Sequence, residues 1–317
     1  MADFIEIRNL KKYFMRKRGK VHAVDDVSMT IRSGETMGVV GESGCGKTTL
    51  GRVIVHLEDS TDGKILLRGR DVTDLNRRQM REYHSEVQFI FQDPYSSLNP
   101  RYTVEATIQE PLRLSRKYSR QEIDKKTTEI MDLVGIAKRL RMAYPHEMDG
   151  GRRQRVGVAR ALSLDPKFIV CDEPVSALDV SIQAQILNLL QDLQKEKDLT
   201  YMFITHDLSV VRHISHNISV MYLGQLVEIS PSRELFKTQY HPYTKALLSA
   251  VPSLDIDKKT SRVILKGEIV VPFDPEPGCR FAARCPYAAG ECTQPQQLME
   301  ISPGHFVSCC RVREVAL

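Results

Sequence analysis

The sequence predicts an α/β fold built around a parallel sheet. Apolar segments of strand length alternate with segments of helical periodicity, and a glycine-rich turn joins one of the strands directly to a helix. The clearest helical stripe contains Ile186, Leu190 and Leu193. The strand segments are TMGVVG at 36–41, VQFIF at 87–91, FIVCD at 168–172 and YMFIT at 201–205.

The elements group into three regions along the chain. Residues 4–31 are mainly strand-like, and they precede the glycine-rich turn. From about residue 93 to 157 the chain is polar and helical, which predicts a helical subdomain inserted between strands. After residue 230 it is richer in Pro and Cys and has little periodicity. We therefore expect one domain over 1–230 and an extension over 231–317.

Composition excludes few functions, but it indicates the cellular compartment in which we expect the chain. The chain has 317 residues, and its 45 Lys and Arg against 40 Asp and Glu leave a net charge of +5, too small to argue nucleic-acid binding by itself. Its longest apolar runs are of strand length, and the N-terminus lacks the apolar core of a signal peptide. These features lead us to expect a chain that is made and kept in the cytosol.

Residues 41–48, GESGCGKT, have the composition and position of a phosphate-binding loop. The glycines let the backbone wrap around phosphates, and the helix N-terminus then directs N–H groups at the anion. Lys47 supplies charge at the β and γ phosphates, and the Thr48 hydroxyl is placed to bind Mg²⁺. The predicted nucleotide-binding residues here are Gly41, Glu42, Ser43, Gly44, Cys45, Gly46, Lys47, Thr48 and Thr49.

A pair of carboxylates, Asp172 and Glu173, follows a strand of four apolar residues. The carboxyl ends of strands are where open α/β sheets bind ligands. We predict that Asp172 orients Mg²⁺ and that Glu173 acts as the general base toward an attacking water.

These motifs resemble the ATP-binding cassette (ABC) ATPases, which implies a P-loop fold with a RecA-like parallel sheet, an antiparallel β subdomain and a helical subdomain. The match includes Gln92 after Phe91, Ser176–Asp179 as the D-loop and His206 after a strand. The resemblance implies ATP and Mg²⁺ as ligands. Gln92 would contact Mg²⁺ and the attacking water, and His206 the γ-phosphate.

An aromatic residue that stacks on adenine is expected upstream of the loop in this family. Tyr13 and Phe14 are the candidates, since an aromatic face stacks well on a base. Packing of either ring within the strand layer is the alternative, and the sequence does not choose between them.

The signature loop departs from the family pattern. Leu-Ser-Gly-Gly-Gln is replaced by Met148, Asp149, Gly150, Gly151 and Arg152. In ABC dimers this loop reaches the γ-phosphate on the partner, where an ionised aspartate would repel the nucleotide. Either the chain pairs with a different cassette and the site using Asp149 is weak, or the neighbouring arginines compensate. We favour the first reading.

The extension resembles that of the dipeptide and oligopeptide importer ATPases. HPYTKALL at 241–248 and GCRFAARCP at 278–286 carry the resemblance. Members of that family serve importers of peptides, nickel and sometimes oligosaccharides, so the resemblance leaves the solute open.

Five of the seven cysteines lie within residues 279–310. Clustered thiolates favour a soft metal, yet the short knuckle typical of structural zinc sites is absent. A [4Fe–4S] cluster tolerates wider spacing, and some members of the importer family carry one here. The alternatives are Zn²⁺ and unligated thiols. The predicted ligands are Cys279, Cys285, Cys292 and Cys309, with Cys310 an alternative to Cys309.

The predicted function is ATP hydrolysis that powers uptake of dipeptides and oligopeptides. The resemblance implies a second ABC ATPase subunit, identical or different, two membrane permeases and an extracytoplasmic solute-binding protein, at the cytoplasmic face of the membrane, with no nucleic acid. One alternative is a soluble ABC ATPase of ribosome or DNA metabolism, although a single phosphate-binding loop and no heptad run argue against it. Others are an importer ATPase for nickel or oligosaccharides and a regulatory subunit that barely hydrolyses ATP.

Overall fold

The computed structural model describes residues 3–250, Leu265 and residues 273–315. Much of the first part of the predicted extension, 251–264 and 266–272, lies outside the described residues. The chain divides into two compact units. The first unit contains Met1–Thr73 and Phe203–Leu317, and the second contains Asp74–Met202.

The strands alternate with helices along most of the chain, as the sequence predicts. The strand bounds are β1 (Asp3–Arg16), β2 (Gly19–Arg32), β3 (Thr36–Val40), β4 (Asp62–Leu67), β5 (Arg70–Asp71), β6 (Val87–Ile90), β7 (Phe168–Asp172), β8 (Thr200–Ile204), β9 (Asn217–Tyr222), β10 (Gln225–Pro231), β11 (Met299–Ser302) and β12 (His305–Val307).

The helices range from single turns to five turns. Their bounds are α1 (Lys47–Ile54), α2 (Arg77–Glu86), α3 (Pro94–Ser97), α4 (Val104–Ser115), α5 (Arg120–Leu133), α6 (Gly150–Leu162), α7 (Val180–Lys197), α8 (Leu208–Ile214), α9 (Ser232–Leu235), α10 (Pro242–Ser249) and α11 (Val312–Val315), with short 3-10 turns at Lys138–Leu140, Pro145–Glu147, Ala282–Arg284 and Gly290–Thr293.

The first unit contains an antiparallel sheet with the strand order β2, β1, β4, β5. In the β1–β2 pair, Ile5 lies opposite Ile31 and Ile7 opposite Met29. All four side chains are buried because one face of each strand is apolar, which is the alternation that predicts a half-buried strand.

A second group of strands in the first unit holds the glycine-rich turn. β3 pairs in parallel with β9, β9 pairs antiparallel with β10, and β12 joins the other edge of β10. All five residues of β3 are buried, as expected of a parallel strand covered on both faces.

The described part of the extension shares the core of this unit. Tyr243 of α10 and Phe281 belong to the same buried cluster as Val40 of β3 and Val220 of β9. Tyr243 and Phe281 are fully or almost fully buried. These residues of the extension therefore pack onto the core of the cassette.

In the second unit, β6 pairs in parallel with β7. The helices α3, α4, α5 and most of α6 fall within the block 93–157 for which the sequence predicts helices. α5 begins with a capping box in which Ser119 and Glu122 exchange hydrogen bonds, and it buries Ile123 and Ile130. Among the described residues, no helix is both long enough and apolar enough to cross a membrane.

A buried carboxylate joins the extension to β10. Glu228 is fully buried and accepts hydrogen bonds from the backbone N–H groups of Tyr240 and His241, at 2.9 and 3.0 Å. His305 Nε2 lies 2.7 Å from the same carboxylate. The Nδ1 atom of His241 accepts the N–H of Tyr243 at 3.1 Å and so caps α10. A buried charge needs such partners, since its hydration has been lost.

This cap makes stability depend on pH. Burial lowers the pKa of His241 to about 4, while the charge of Glu228 opposes the shift. As the pH falls below about 6.5, this histidine therefore binds a proton in the unfolded chain before it does so in the folded one. The free energy of unfolding decreases between about pH 6.5 and pH 4, and the decrease reaches about 2 kcal/mol at pH 5. Urea unfolding at pH 7 and pH 5 measures the loss. The variant His241→Asn keeps an acceptor for the cap, and its free energy of unfolding should decrease less between pH 7 and pH 5. A decrease equal to that of the unmodified chain would contradict the role of His241 in this pH dependence.

Candidate functional site

The glycine-rich turn lies between β3 and α1 and has a backbone that only glycine fits. Gly41 and Gly46 have positive φ values of 153° and 106°. A Cβ atom on Gly41 would lie 2.1 Å from the carbonyl oxygen of Met221, and one on Gly46 would lie 1.9 Å from that of Ala23. The two glycines are thus required by close packing of the backbone as well as by its conformation.

Lys47 is the first residue of α1 and is 5% exposed. Its ammonium group donates hydrogen bonds to the carbonyl oxygens of Gly41 at 2.8 Å and Glu42 at 3.0 Å. These bonds hold the charge inside the loop. No side chain caps the N-terminus of α1, and its first turn has no acidic residue, so the N–H groups there suit an anion.

The carboxylate pair of the second unit follows β7. Asp172 is buried at the strand end, and Glu173 adopts a left-handed φ of 44°. Such a conformation is strained in a residue with a side chain and is concentrated at functional sites. The side-chain amide of Gln92 donates to Glu173 Oε2 at 2.8 Å. The structure therefore brings together two residues that the resemblance places beside the attacking water.

Asp149 has a local role that the sequence reading missed. It is the N-cap of α6, and its carboxylate accepts the N–H of Arg152 at 2.8 Å. The guanidinium of Arg152 also lies 3.3 Å from Asp149 Oδ2. Aspartate and serine are both good N-caps, so this helix start accepts either residue. A clue in the sequence was the position of Asp149 directly before a helix, where aspartate is a common N-cap.

The two glycines after Asp149 begin α6. A Cβ atom on Gly151 would lie 2.7 Å from Ile182 Cγ2, and one on Gly150 would lie 3.0 Å from Leu178 Cδ2. The signature loop therefore packs closely against the segment around the predicted D-loop, and larger residues would push the two apart.

His206 lies in the first unit, exposed, directly after β8. On one side, the N–H of Thr205 donates to Val39 O at 3.2 Å. On the other, Asp207 caps α8 through the N–H groups of Ser209 and Val210. Both neighbours of His206 are thus fixed by hydrogen bonds, and its role toward the γ-phosphate stays a prediction.

The two aromatic candidates for adenine stacking differ. The ring of Tyr13 stacks on His22 with centroids 3.8 Å apart, and its hydroxyl donates to Asp25. Burial and the neighbouring Asp25 raise the pKa of Tyr13, so the phenol stays protonated. The ring of Phe14 lies instead under the ammonium group of Lys12, at 4.9 Å. The base-stacking role remains a prediction for either residue.

The cysteines do not form a ligand set in the described structure. No group of three or more His, Cys, Asp or Glu side chains among the described residues is placed to hold a metal ion. Cys292 Sγ lies 4.0 Å from Cys310 Sγ, and burial raises the pKa of Cys279 to about 11. The described residues therefore do not support the [4Fe–4S] cluster predicted on Cys279, Cys285, Cys292 and Cys309, or its zinc alternative.

Three residues of the extension reach the nucleotide-site elements of the first unit, and sequence reasoning assigned them no role. Tyr243 and Arg284 contact Glu42 of the phosphate-binding loop. Arg280 pairs with Asp25, which also holds Tyr13. The signal available in the sequence was that all three lie in the segments 241–248 and 278–286, which resemble the importer family.

Comparisons with known proteins agree with these features. The family model for ABC transporters matches residues 24–176. The model for the oligopeptide/dipeptide transporter C-terminal region matches residues 227–292. Among solved structures, a dimeric bacterial ABC transporter cassette, MJ0796, is 28% identical with a TM-score of 0.67, covering 72% of this chain and 99% of that one. The same cassette bound to ADP and Pi has a TM-score of 0.66 at 27% identity, with the same coverage. The predicted fold class is confirmed.

Two curated relatives match over almost their whole length. The oligopeptide transport ATP-binding protein AppF of Bacillus subtilis is 48% identical over 316 residues, covering 96% of each chain. The oligopeptide transport ATP-binding protein OppF of Salmonella typhimurium is 49% identical over 320 residues, covering 97% of this chain and 96% of its own. The chain therefore belongs to the family of ABC transporter ATP-binding proteins of the oligopeptide type.

Proposed function

We propose that this chain is the ATP-hydrolysing subunit of an importer for oligopeptides. The observation that carries the proposal is the near-full-length similarity to proteins named for oligopeptide transport, which extends through the C-terminal region. The alternative of ribosome or DNA metabolism has no comparable support.

The phosphate-binding loop holds the triphosphate in this proposal. The loop carbonyls hold the ammonium group of Lys47, which exchanges these partners for phosphate oxygens when the nucleotide binds. The uncapped N-terminus of α1 adds N–H donors and a favourable dipole. Thr48, Gln92 and Asp172 are the oxygen donors that would hold Mg²⁺, and their hard oxygen atoms fit that ion. When bound, Mg²⁺ offsets the negative charge of the phosphates.

Glu173 is the proton acceptor in hydrolysis. Its carboxylate withdraws a proton from a water molecule, which attacks the γ-phosphorus as the bond to the leaving oxygen breaks. The hydrogen bond from Gln92 orients the Glu173 carboxylate. His206 would donate a hydrogen bond to the γ-phosphate and stabilise the charge that moves onto its oxygens.

A second cassette completes each site in this proposal, and the similar cassette MJ0796 has a dimeric structure. Two contacts support the interpretation in which neighbouring arginines offset the charge of Asp149. Arg152 pairs with its carboxylate, and the N-terminus of α6 stabilises the negative charge. The partner cassette is either a second copy of this chain or a different ABC ATPase subunit. Two permeases and an extracytoplasmic binding protein would complete the assembly, with this chain at the cytoplasmic face of the membrane.

The division at residue 230 remains part of the proposal. It is supported by the match of the C-terminal-region model, which begins at residue 227, and by the end of β10 at Pro231. The helical subdomain over about 93–157 is supported by the helices α3 to α6.

The experiment is reconstitution of the chain with its permeases, partner cassette and binding protein in liposomes. We expect ATP-dependent uptake of short oligopeptides, together with faster ATP hydrolysis when peptide is present. Nickel ions and oligosaccharides are the comparison solutes. Uptake of either one without uptake of peptides would overturn the proposed substrate class.

The iron–sulfur cluster stays a prediction from cysteine spacing, and no step above depends on it. Its only support in the described residues is the proximity of thiols such as Cys292 and Cys310. Chain purified without oxygen should contain about four iron and four sulfide per chain if the prediction is right. Zinc alone, or no metal, would contradict it.

A further inference from the structure

The second residue of the phosphate-binding loop, Glu42, has every polar group engaged. Its carbonyl oxygen accepts the ammonium group of Lys47 at 3.0 Å. Its backbone N–H donates to the hydroxyl of Tyr243 at 2.9 Å. Its carboxylate pairs with the guanidinium of Arg284 at 2.9 and 3.4 Å. Two of the three partners come from the extension, more than 200 positions away in the chain.

The two partners are themselves firmly held. The Tyr243 ring packs with Tyr222 and Phe281, at centroid distances of 4.7 and 5.5 Å. Arg284 ends the 3-10 turn that follows Phe281, and its N–H donates to Phe281 O at 2.9 Å. Phe281 and Tyr243 are almost fully buried in one cluster. Packing in this cluster therefore fixes the positions of the side chains that contact Glu42.

Charge gives the Arg284 contact its importance. The loop that contains Glu42 binds a polyanion in the proposed function, so an unpaired carboxylate there would repel the substrate. The Arg284 side chain is only 10% exposed, which limits screening by water and salt. Its fixed positive charge balances Glu42 at short range.

Arg280 of the extension makes a third contact, near Tyr13, one of the two candidates for stacking on adenine. Its guanidinium donates to Asp25, which accepts the Tyr13 hydroxyl, and to the carbonyl oxygen of Leu223. The next residue, Gly224, donates its N–H to Cys45 O of the loop at 2.8 Å. The extension thus contacts both the loop, at Glu42, and Asp25 of β2, the residue that accepts the Tyr13 hydroxyl.

We propose that Arg284 and Tyr243 are positioning residues for the phosphate-binding loop, through which the C-terminal extension sets the affinity for ATP. The inference rests on the proposed ATPase function. Neither residue contacts the nucleotide in this proposal. Arg284 cancels the charge of Glu42, and the Tyr243 hydroxyl fixes the backbone of the same residue.

The test is a set of variants of the full chain, measured for MgATP binding by calorimetry and for ATP turnover in the assembly. Arg284→Met should raise Kd and KM for ATP about 5–20-fold and change kcat by less than about twofold. Arg284→Lys should recover most of the affinity. Tyr243→Phe, which removes only the hydroxyl, should raise Kd about 2–5-fold.

The double variant Glu42→Gln with Arg284→Met separates charge balance from general damage. With no carboxylate left to neutralise, its Kd should return to within about threefold of the unmodified chain. Arg311→Met is the matched control, because Arg311 lies in the same extension but pairs with Glu314, and its Kd should not change.

Unchanged Kd in Arg284→Met would overturn the inference, as would a loss that persists in full in the double variant. An equal loss in Arg311→Met would also overturn it, since any damage to the extension would then suffice. Failure of the proposed function has a different signature, because the unmodified chain itself would then bind no ATP.

Discussion

Replacing Lys47 with alanine is expected to lower ATP turnover about 100-fold or more. The side chain is buried and supplies the positive charge that the loop presents to the phosphates. Removing one partner of a buried, hydrogen-bonded charge pair costs about 2–5 kcal/mol, and each 1.4 kcal/mol is a factor of ten in affinity. The carbonyl groups of Gly41 and Glu42 also lose their donor. Both losses act on nucleotide binding.

Phosphate release by the assembly and calorimetry of MgATP binding measure this effect. The control is Lys64→Ala, the same substitution at an exposed lysine that pairs with Asp71 at 3.5 Å. Pairs of this kind contribute little, so turnover should stay within about twofold. If Lys47→Ala hydrolysed ATP as fast as Lys64→Ala, the assignment of the loop at 41–48 to the catalytic site would be wrong.

The second large effect is expected at Glu173. Glu173→Gln keeps the shape and an oxygen that can accept from Gln92, but it removes the basic carboxylate. A general base contributes about 100- to 10,000-fold to rate, so hydrolysis should fall by that factor while ATP stays bound. Because the nucleotide is no longer consumed, dimers closed on ATP should accumulate.

Single-turnover phosphate release gives the chemical rate, and light scattering of the chain with ATP gives the dimer fraction. Glu196→Gln is the control, since it makes the same charge change at an exposed position near the end of α7. A Glu173→Gln variant that hydrolyses ATP at the rate of this control would refute the role of Glu173 as base.

Local features of the site were predictable from the sequence. The glycines at 41 and 46 fit a backbone that excludes side chains, and the strand–turn–helix order follows from hydrophobic periodicity. The neighbouring carboxylates, Asp172 and Glu173, end a strand whose apolar residues are all buried. Each of these features depends on residues within one short segment.

Contacts between distant segments were not predictable. Arg284 and Glu42 are separated by 242 positions, and no periodicity or spacing links them. The same holds for Tyr243, whose motif marked a subfamily without indicating what the tyrosine contacts. The N-cap role of Asp149 was missed for another reason. Its charge was weighed only against a phosphate on the partner cassette, whereas its carboxylate also accepts the N–H of Arg152 at the start of its own helix.

The measurement that tests the central claim most directly is a paired assay on the unmodified full chain with its assembly. MgATP binding is measured by calorimetry, and phosphate release is followed on the same preparation. We predict saturable binding of one nucleotide per chain together with steady release of phosphate. A well-folded preparation that shows neither binding nor release would contradict the assignment of the loop at 41–48 and of Glu173.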